Sequence, residues 1–198
     1  MVNNMNKEKV KKILFDVFIK YQGLFFLIII IDQVTKLLAI KYLQEPVKIF
    51  SWLELRLQIN SGVAFSFMDD APQWISALIS VLAVLAIEYY LIFKAKKNEI
   101  VFNVILICLA AGALGNGIDR WLAVFGRQIE VNGRLQAGVV DFIWPTFFAN
   151  FNVADIFVTL ACIAMIIYTF LAKDNKKDEH IVKKSEYEYL DKKVKSDE

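Results

Sequence analysis

The sequence predicts a membrane α-helical protein, four transmembrane helices carrying a small extracytoplasmic β layer. Three observations predict it. Hydrophobic residues make up 57% of the 198-residue chain, and mean hydropathy is +0.46, well above an ordinary soluble domain. Four apolar stretches each reach the roughly 20 residues that an α-helix needs to cross a bilayer. Two of the connections between them carry the period and turn chemistry of strands.

The first span runs from about Tyr21 to Leu43, and Leu24 to Ile31 is unbroken apolar sequence. It continues through Asp32 and Lys36 with no small-residue cleavage site, so it is not a removable leader. The connection that follows, about 47–67, alternates without fault over Leu53-Glu54-Leu55-Arg56-Leu57-Gln58-Ile59-Asn60, the period of a half-buried strand, before Ser61-Gly62 breaks it. The second span covers about 74–93 and the third about 100–122. Between the third and fourth, about 127–140, Gln128 to Val131 and Arg134 to Gln136 flank Asn132-Gly133. Asn-Gly supplies the positive φ angles of a type I′ hairpin. Residues 127–136 are expected to order as two strands above the site. The fourth span covers about 152–171. Trp74, Tyr89, Tyr90, Trp121 and Tyr168 sit near span ends, where amphipathic rings favour the interface. The spans and β segments form a single domain, 1–172, followed by a charged tail, 173–198.

Lysine placement sets the expected orientation. Lys7, Lys9, Lys11 and Lys12 precede the first span, Lys94, Lys96 and Lys97 sit in the short connection, and Lys173, Lys176 and Lys177 follow the fourth. The positive-inside rule places both termini in the cytoplasm and the two long connections outside. The net charge of +2 includes no basic stripe, so no nucleic-acid partner is expected. Cys108 and Cys162 lie in apolar runs and read as small hydrophobes. His180 is the one histidine and belongs to the tail. That removes Ser-His hydrolases and His-based zinc sites, and no metal or cofactor is expected.

Intramembrane polar groups gather toward the outer ends of spans one, three and four. Asp32 lies about 17 Å and Lys36 about 23 Å above Tyr21 at 1.5 Å per residue. Asn116 and Asp119 lie about 24 and 29 Å above Ile100 by the same rise. Asp155 is only about 5 Å below the outer end of the fourth span, and Asp141 precedes that end. Glu88 of the second span is near enough to Lys94 to snorkel to the cytoplasmic interface. Ionisable groups in membrane helices are costly and mark reaction sites or ion paths. Asp32 and Lys36 are spaced i,i+4 and can pair; a registry device and a substrate contact are equally open for them. Gly112, Gly115, Asn116 and Asp119 share one helix stripe, where close helix packing is the better account of the glycines. Asn116, Asp119 and Arg120 need hydrogen-bond partners if buried. Asn152 can orient a carboxylate, cap the helix that begins there, or do both.

Five segments carry a resemblance. They are Asp32-Gln33-Val34-Thr35-Lys36, Asn60-Ser61-Gly62-Val63-Ala64-Phe65, Gly112 to Arg120, Val139-Val140-Asp141-Phe142 and Phe151-Asn152-Val153-Ala154-Asp155. In this order, across four spans, the chain resembles lipoprotein signal peptidase, the type II signal peptidase of bacteria. The resemblance covers about residues 20 to 172. It implies an aspartic endopeptidase of the bacterial cytoplasmic membrane, acting as a monomer beside membrane lipid. Its substrates would be diacylglyceryl-modified prolipoproteins, cut just before the lipidated cysteine. It implies Asp141 and Asp155 as the catalytic pair. Asp32, Lys36, Asn60, Gly62, Asn116, Asp119, Arg120 and Asn152 would bind substrate or support the site. Two departures stand out: Ala111 precedes Gly112 where paired glycines are usual, and the stretch from Trp121 to Gly138 is long for the family.

The chemistry agrees independently. Two close carboxylates sharing one proton supply both an activated water and a proton donor. A Gly-x-Gly-Asp intramembrane protease is absent by pattern, and a Ser/Lys peptidase using Ser51, Ser61 or Ser66 with Lys36 would leave Asp141 and Asp155 unexplained. The alternative from another class is a small ion- or proton-coupled transporter relaying through Asp32, Asp119 and Asp155. Relays string acids across the membrane depth, whereas these crowd one side.

Overall fold

A computed structural model of the chain describes residues 2–62, 72–94 and 99–171, with side chains at Ile19 and from Tyr21 onward. The tail 173–198, residues 63–67 of the first β segment, and Lys96 and Lys97 lie outside the described residues.

Helix α1 runs Val2–Tyr42. The helix does not stop at the basic flank, because no proline interrupts residues 2–20 and straight-chain residues there favour it. Its apolar part, Tyr21–Tyr42, is one of four helical stretches among the described residues long and apolar enough to cross a membrane. The others are α2 (Gln73–Phe93), α3 (Ile100–Val124) and α4 (Val153–Leu171). Pro72 precedes α2, where its fixed φ is tolerated and no helical N–H is lost. Side chains such as Leu37, Leu82 and Ile163 are exposed, as the lipid-facing stripe of a spanning helix must be. Cys108 and Cys162 are free thiols, and Cys162 is exposed rather than buried.

Contacts group the chain into two compact units, Met1–Ala161 and Cys162–Glu198, with the boundary inside α4. In the second, the described residues are the helical turns through Leu171. In the first, the glycines of α3 act by close approach. A Cβ on Gly112 would lie 2.6 Å from Val158 Cγ2 and 2.7 Å from the Ala154 carbonyl. One on Gly115 would lie 2.7 Å from Asp32 Oδ2 and 3.1 Å from Ala154 Cβ. Small residues let α3 meet α1 and the first turns of α4 nearly backbone to backbone.

Strands β1 (Val47–Phe50), β2 (Leu53–Asn60) and β5 (Val139–Pro145) form one antiparallel sheet in the order β1-β2-β5. Strands β3 (Ile129–Val131) and β4 (Arg134–Gln136) form a separate hairpin. Its turn has φ of 53° at Asn132 and 73° at Gly133, the pair that a type I′ turn requires. Strand β5 runs through Asp141 to Pro145, beyond the expected limit near residue 140. The run Val139-Val140-Asp141-Phe142-Ile143-Trp144 is β-branched and aromatic on both sides of one acid, which favours extension. The chain then doubles back, and Phe151 pairs with Ile143 just before α4 begins.

The sheet has two unlike faces. Leu57, Ile59, Val140 and Phe142 pack with Ala39 of α1 and with Ile129 and Val131 of the hairpin. Gln58 pairs with Asp141 and Asn60 with Val139, so these four share the other face. The expected hairpin forms, but it sits behind the sheet, against the face opposite Asp141. The alternation Ile129-Glu130-Val131 explains this, since its two apolar side chains need a core and the solvent above a polar site offers none.

Candidate active site

Each acid of the pair is held by the element that carries it. Asp141 projects from the middle of β5 and is 2% exposed. Asp155 stands in the first turn of α4 and is half-buried. Asn152 caps that helix. Its Oδ1 accepts from the Asp155 N–H at 3.1 Å, and Asp155 Oδ2 accepts from the Asn152 N–H at 3.0 Å. This is a reciprocal capping box built from Asn and Asp, and it fixes the rotamer of Asp155. The Asn152 side-chain Nδ2 donates to Asp141 Oδ1 at 2.8 Å, to the Val140 carbonyl at 3.2 Å and to Asn116 Oδ1 at 2.9 Å. Asn116 Nδ2 in turn donates to Asp155 Oδ1 at 2.7 Å. One residue therefore grips both carboxylates, and a second asparagine closes the bridge.

Asn60 completes the setting of Asp141. Its Nδ2 donates to Asp141 Oδ2 at 3.2 Å, while its Oδ1 accepts from the Gly62 N–H at 3.1 Å. Gly62 thus acts through its backbone, orienting the amide that touches the acid. Gly138, at φ 157°, sits so close to the Asn60 carbonyl that any Cβ would collide with it. Burial pushes the Asp141 carboxyl up to about 7, with the charge of Asp155 adding to the rise. Hydrogen bonds from Asn60 and Asn152 and the charge of Lys36 pull the other way.

Beneath the pair lies a buried ion cluster. Lys36 Nζ, 2% exposed, meets Asp32 Oδ2 and Asp119 Oδ2, each at 2.8 Å, and donates to Asn116 Oδ1 at 2.9 Å. The i,i+4 pair forms as spaced, and both side chains are buried under the site. Asp32 Oδ1 accepts from the Ala154 N–H at 2.9 Å, satisfying a second free donor at the head of α4. Asp119 Oδ2 accepts from the Val140 N–H at 3.3 Å. The cluster thereby touches the neighbour of each acid, Ala154 before Asp155 and Val140 before Asp141. Arg120 is half-buried, and its charge acts on Asp155, Asp141 and Asp119.

One participant escaped the sequence reading. Arg127 Nη2 meets Asp119 Oδ1 at 2.8 Å and donates to the Gly138 carbonyl at 3.1 Å. An arginine opening a polar loop carries no signal of burial. Glu88 also departs from expectation: it accepts from Gln22 Nε2 at 2.7 Å inside the bundle instead of turning toward Lys94. No acid lies between Gln22 and Asp32 on α1. No cluster of three or more His, Cys, Asp or Glu residues able to hold a metal occurs among the described residues. The site thus presents a pair of carboxylates braced by amides, with the Asp141 carboxyl pushed up to about 7 by burial. Such a pair can activate water and protonate a leaving group.

Comparisons with known proteins agree with this chemistry. The family model for signal peptidase (SPase) II matches residues 24–171. The lipoprotein signal peptidase of Psychromonas ingrahamii is 34% identical over 151 residues, covering 74% of this chain and 82% of its own. That of Acinetobacter baylyi is 33% identical over 183 residues, covering 87% and 95%. A bacterial membrane enzyme solved by the in meso method at 2.3 Å resolution superposes with a TM-score of 0.64 at 28% identity, covering 79% of this chain and 91% of that one.

Proposed function

The chain belongs to the signal peptidase II family, and from that premise we propose that Asp141 and Asp155 are its catalytic dyad. The protein is a multi-pass membrane aspartic endopeptidase that removes signal peptides from prolipoproteins. The observation that carries the dyad is the grip of Asn152, whose side chain donates to Asp141 and whose backbone donates to Asp155.

The division of labour follows from the environments. Asp141 holds the shared proton, since burial and the neighbouring charge keep its carboxyl protonated up to about pH 7. Asp155 is the base. It takes a proton from water as the water oxygen bonds to the scissile carbonyl carbon, while Asp141 gives its proton to the carbonyl oxygen. On collapse, the proton gained by Asp155 passes to the leaving nitrogen as the C–N bond breaks, and Asp141 recovers its own. Asn60, Asn116, Asn152 and Gly62 hold the carboxylates. Arg120 supplies a cation beside them for the substrate backbone or lipid headgroup. Asp32, Lys36 and Asp119 brace the helices underneath.

The substrate is the diacylglyceryl-modified prolipoprotein, cut before its lipidated cysteine. The enzyme works as a monomer in the cytoplasmic membrane with both termini cytoplasmic. Lysine bias then sets the dyad toward the outer face. Cleavage of a purified diacylated prolipoprotein tests the reading. Wild-type enzyme shortens it by the signal peptide, and Asp141→Asn and Asp155→Asn do not. Substantial turnover by either variant would falsify the dyad.

A further inference from the structure

We propose that Arg127, at the neck of the β3–β4 hairpin, is a positioning residue for Asp141; this rests on the dyad reading above. The chain leaves α3 at Phe125, turns at Gly126 with φ 94°, and ties the Arg127 N–H to the Leu122 carbonyl at 2.8 Å. It then makes the hairpin excursion and returns at Gly138. Arg127 Nη2 closes that excursion. It donates to Asp119 Oδ1 at 2.8 Å, to the Asp119 carbonyl at 3.3 Å and to the Gly138 carbonyl at 3.1 Å.

These contacts fix where β5 starts. Arg127 holds the Gly138 carbonyl, and Asp119 Oδ2 holds the Val140 N–H at 3.3 Å. Both lie within three residues of Asp141. Gly138 also presses on the Asn60 carbonyl, and Asn60 donates to Asp141. A displaced Gly138 therefore moves the acid through its own strand and through its hydrogen-bond donor.

Charge balance favours the same residue, the guanidinium in direct contact with Asp119. Asp32 and Asp119 are 0% exposed and share one buried cation, Lys36. Two carboxylates on one ammonium leave a buried negative charge, and Arg127, 23% exposed, neutralises it. Without Arg127, the direct side-chain and backbone partners of Asp119 among the described residues are Lys36 and the Val140 N–H, with the charge of Arg120 acting alongside them, and both direct partners are drawn toward the undercompensated carboxylate. Arg127 acts through Asp119 and Gly138, so its loss should lower turnover and spare substrate affinity.

The test measures kcat and KM on purified diacylated prolipoprotein for Arg127→Met, Arg127→Gln, Arg127→Lys, Arg134→Gln at the exposed far end of the hairpin, and Asp141→Asn. Misplacing a reacting group by about 1 Å costs up to about 100-fold. Arg127→Met and Arg127→Gln should therefore lose about 10-fold or more in kcat, with KM within about twofold. Arg127→Lys should recover to within about threefold, because a single nitrogen makes all the contacts and an ammonium has three donors. Arg134→Gln should match wild type. Wild-type kcat in a folded Arg127→Met or Arg127→Gln enzyme, a change in KM alone, or failure of both variants to fold overturns the positioning role. An active Asp141→Asn enzyme overturns the dyad instead, whatever the Arg127 variants do.

Discussion

Asp141→Asn should make the protein inactive and, above neutral pH, more stable. The native carboxyl sits at about 7 against an ordinary value of 3.8. An acid whose folded value is raised binds its proton more tightly in the native state. Its favourable contribution is therefore present below about pH 4 and is lost as pH rises through about 7. The rise from 3.8 to about 7 is worth about 4 kcal/mol of penalty at pH 8, at about 1.4 kcal/mol per tenfold change in proton affinity. At pH 5 the native group is still protonated and the penalty is about 1.5 kcal/mol by the same linkage. Asparagine removes that penalty but not without cost. Asp141 Oδ1 accepts from Asn152 and Oδ2 from Asn60, and an amide offers only one oxygen. One of those donors loses its acceptor, at about 1–3 kcal/mol. The net effect should be stabilising by about 1–3 kcal/mol at pH 8 and near zero or unfavourable at pH 5. Thermal unfolding of wild type and variant in detergent at both pH values measures it. The quantity that decides is the difference between the two shifts, since the lost hydrogen bond is common to both. Equal shifts at pH 5 and pH 8 would show that Asp141 is not a strained acid in the folded protein.

Four other outcomes follow. The double variant Asp141→Asn/Asp155→Asn should be no less active than either single one, because the pair acts as a unit; additive losses in a cleavage assay would point to separate roles. Lys36→Met should destabilise by about 3–5 kcal/mol by stranding buried carboxylates, read as a lowered unfolding midpoint, and an unchanged midpoint would remove the ion cluster from the fold's energetics. Asn116→Ala should cut kcat by about 10-fold or more, since the bridge to Asp155 is lost and a poorly held group loses rate steeply; a rise in KM alone would make Asn116 a substrate contact. A reporter inserted at Asn132-Gly133 should be outside the cytoplasm and one after residue 175 inside, and the opposite labelling would invert the proposed topology.

Much of this was legible in the sequence because membranes impose long-range regularity. The four spans need only length and apolarity, and the Asn132-Gly133 turn needs only local backbone chemistry. The pair Asp32–Lys36 forms because i,i+4 spacing leaves little choice. Beyond that reach, tertiary context decides. Sequence periodicity cannot say that Val139 to Pro145 pairs with β2, because the partner lies some 80 positions away and the register includes a bulge between Leu55 and Gln58. Nor does it say which face of the sheet the hairpin covers. Arg127 was invisible for the same reason. Its partners, Asp119 and Gly138, belong to a helix and a strand that meet only once the loop has folded back.

The proposed dyad gives a reason why such an enzyme can be assembled on a small scaffold. The atoms that position the acids are largely those that complete secondary structure. Asp155 is one half of a capping box, and Asn152, the other half, uses its remaining donors on Asp141, Val140 and Asn116. Asp32 satisfies the next free N–H of the same helix. A helix start always presents unpaired donors, and here they are met by side chains that must also be buried for the fold to close. Folding the first turns of α4 against α1, α3 and β5 therefore sets the separation and orientation of the two carboxylates without further residues devoted to it. The arrangement has a consequence for mutation. A substitution at Asn152 cannot be read as a lost cap alone, worth about 1 kcal/mol, because the same side chain orders Asp141. Its effect on turnover should exceed its effect on stability by far more than capping energetics allow.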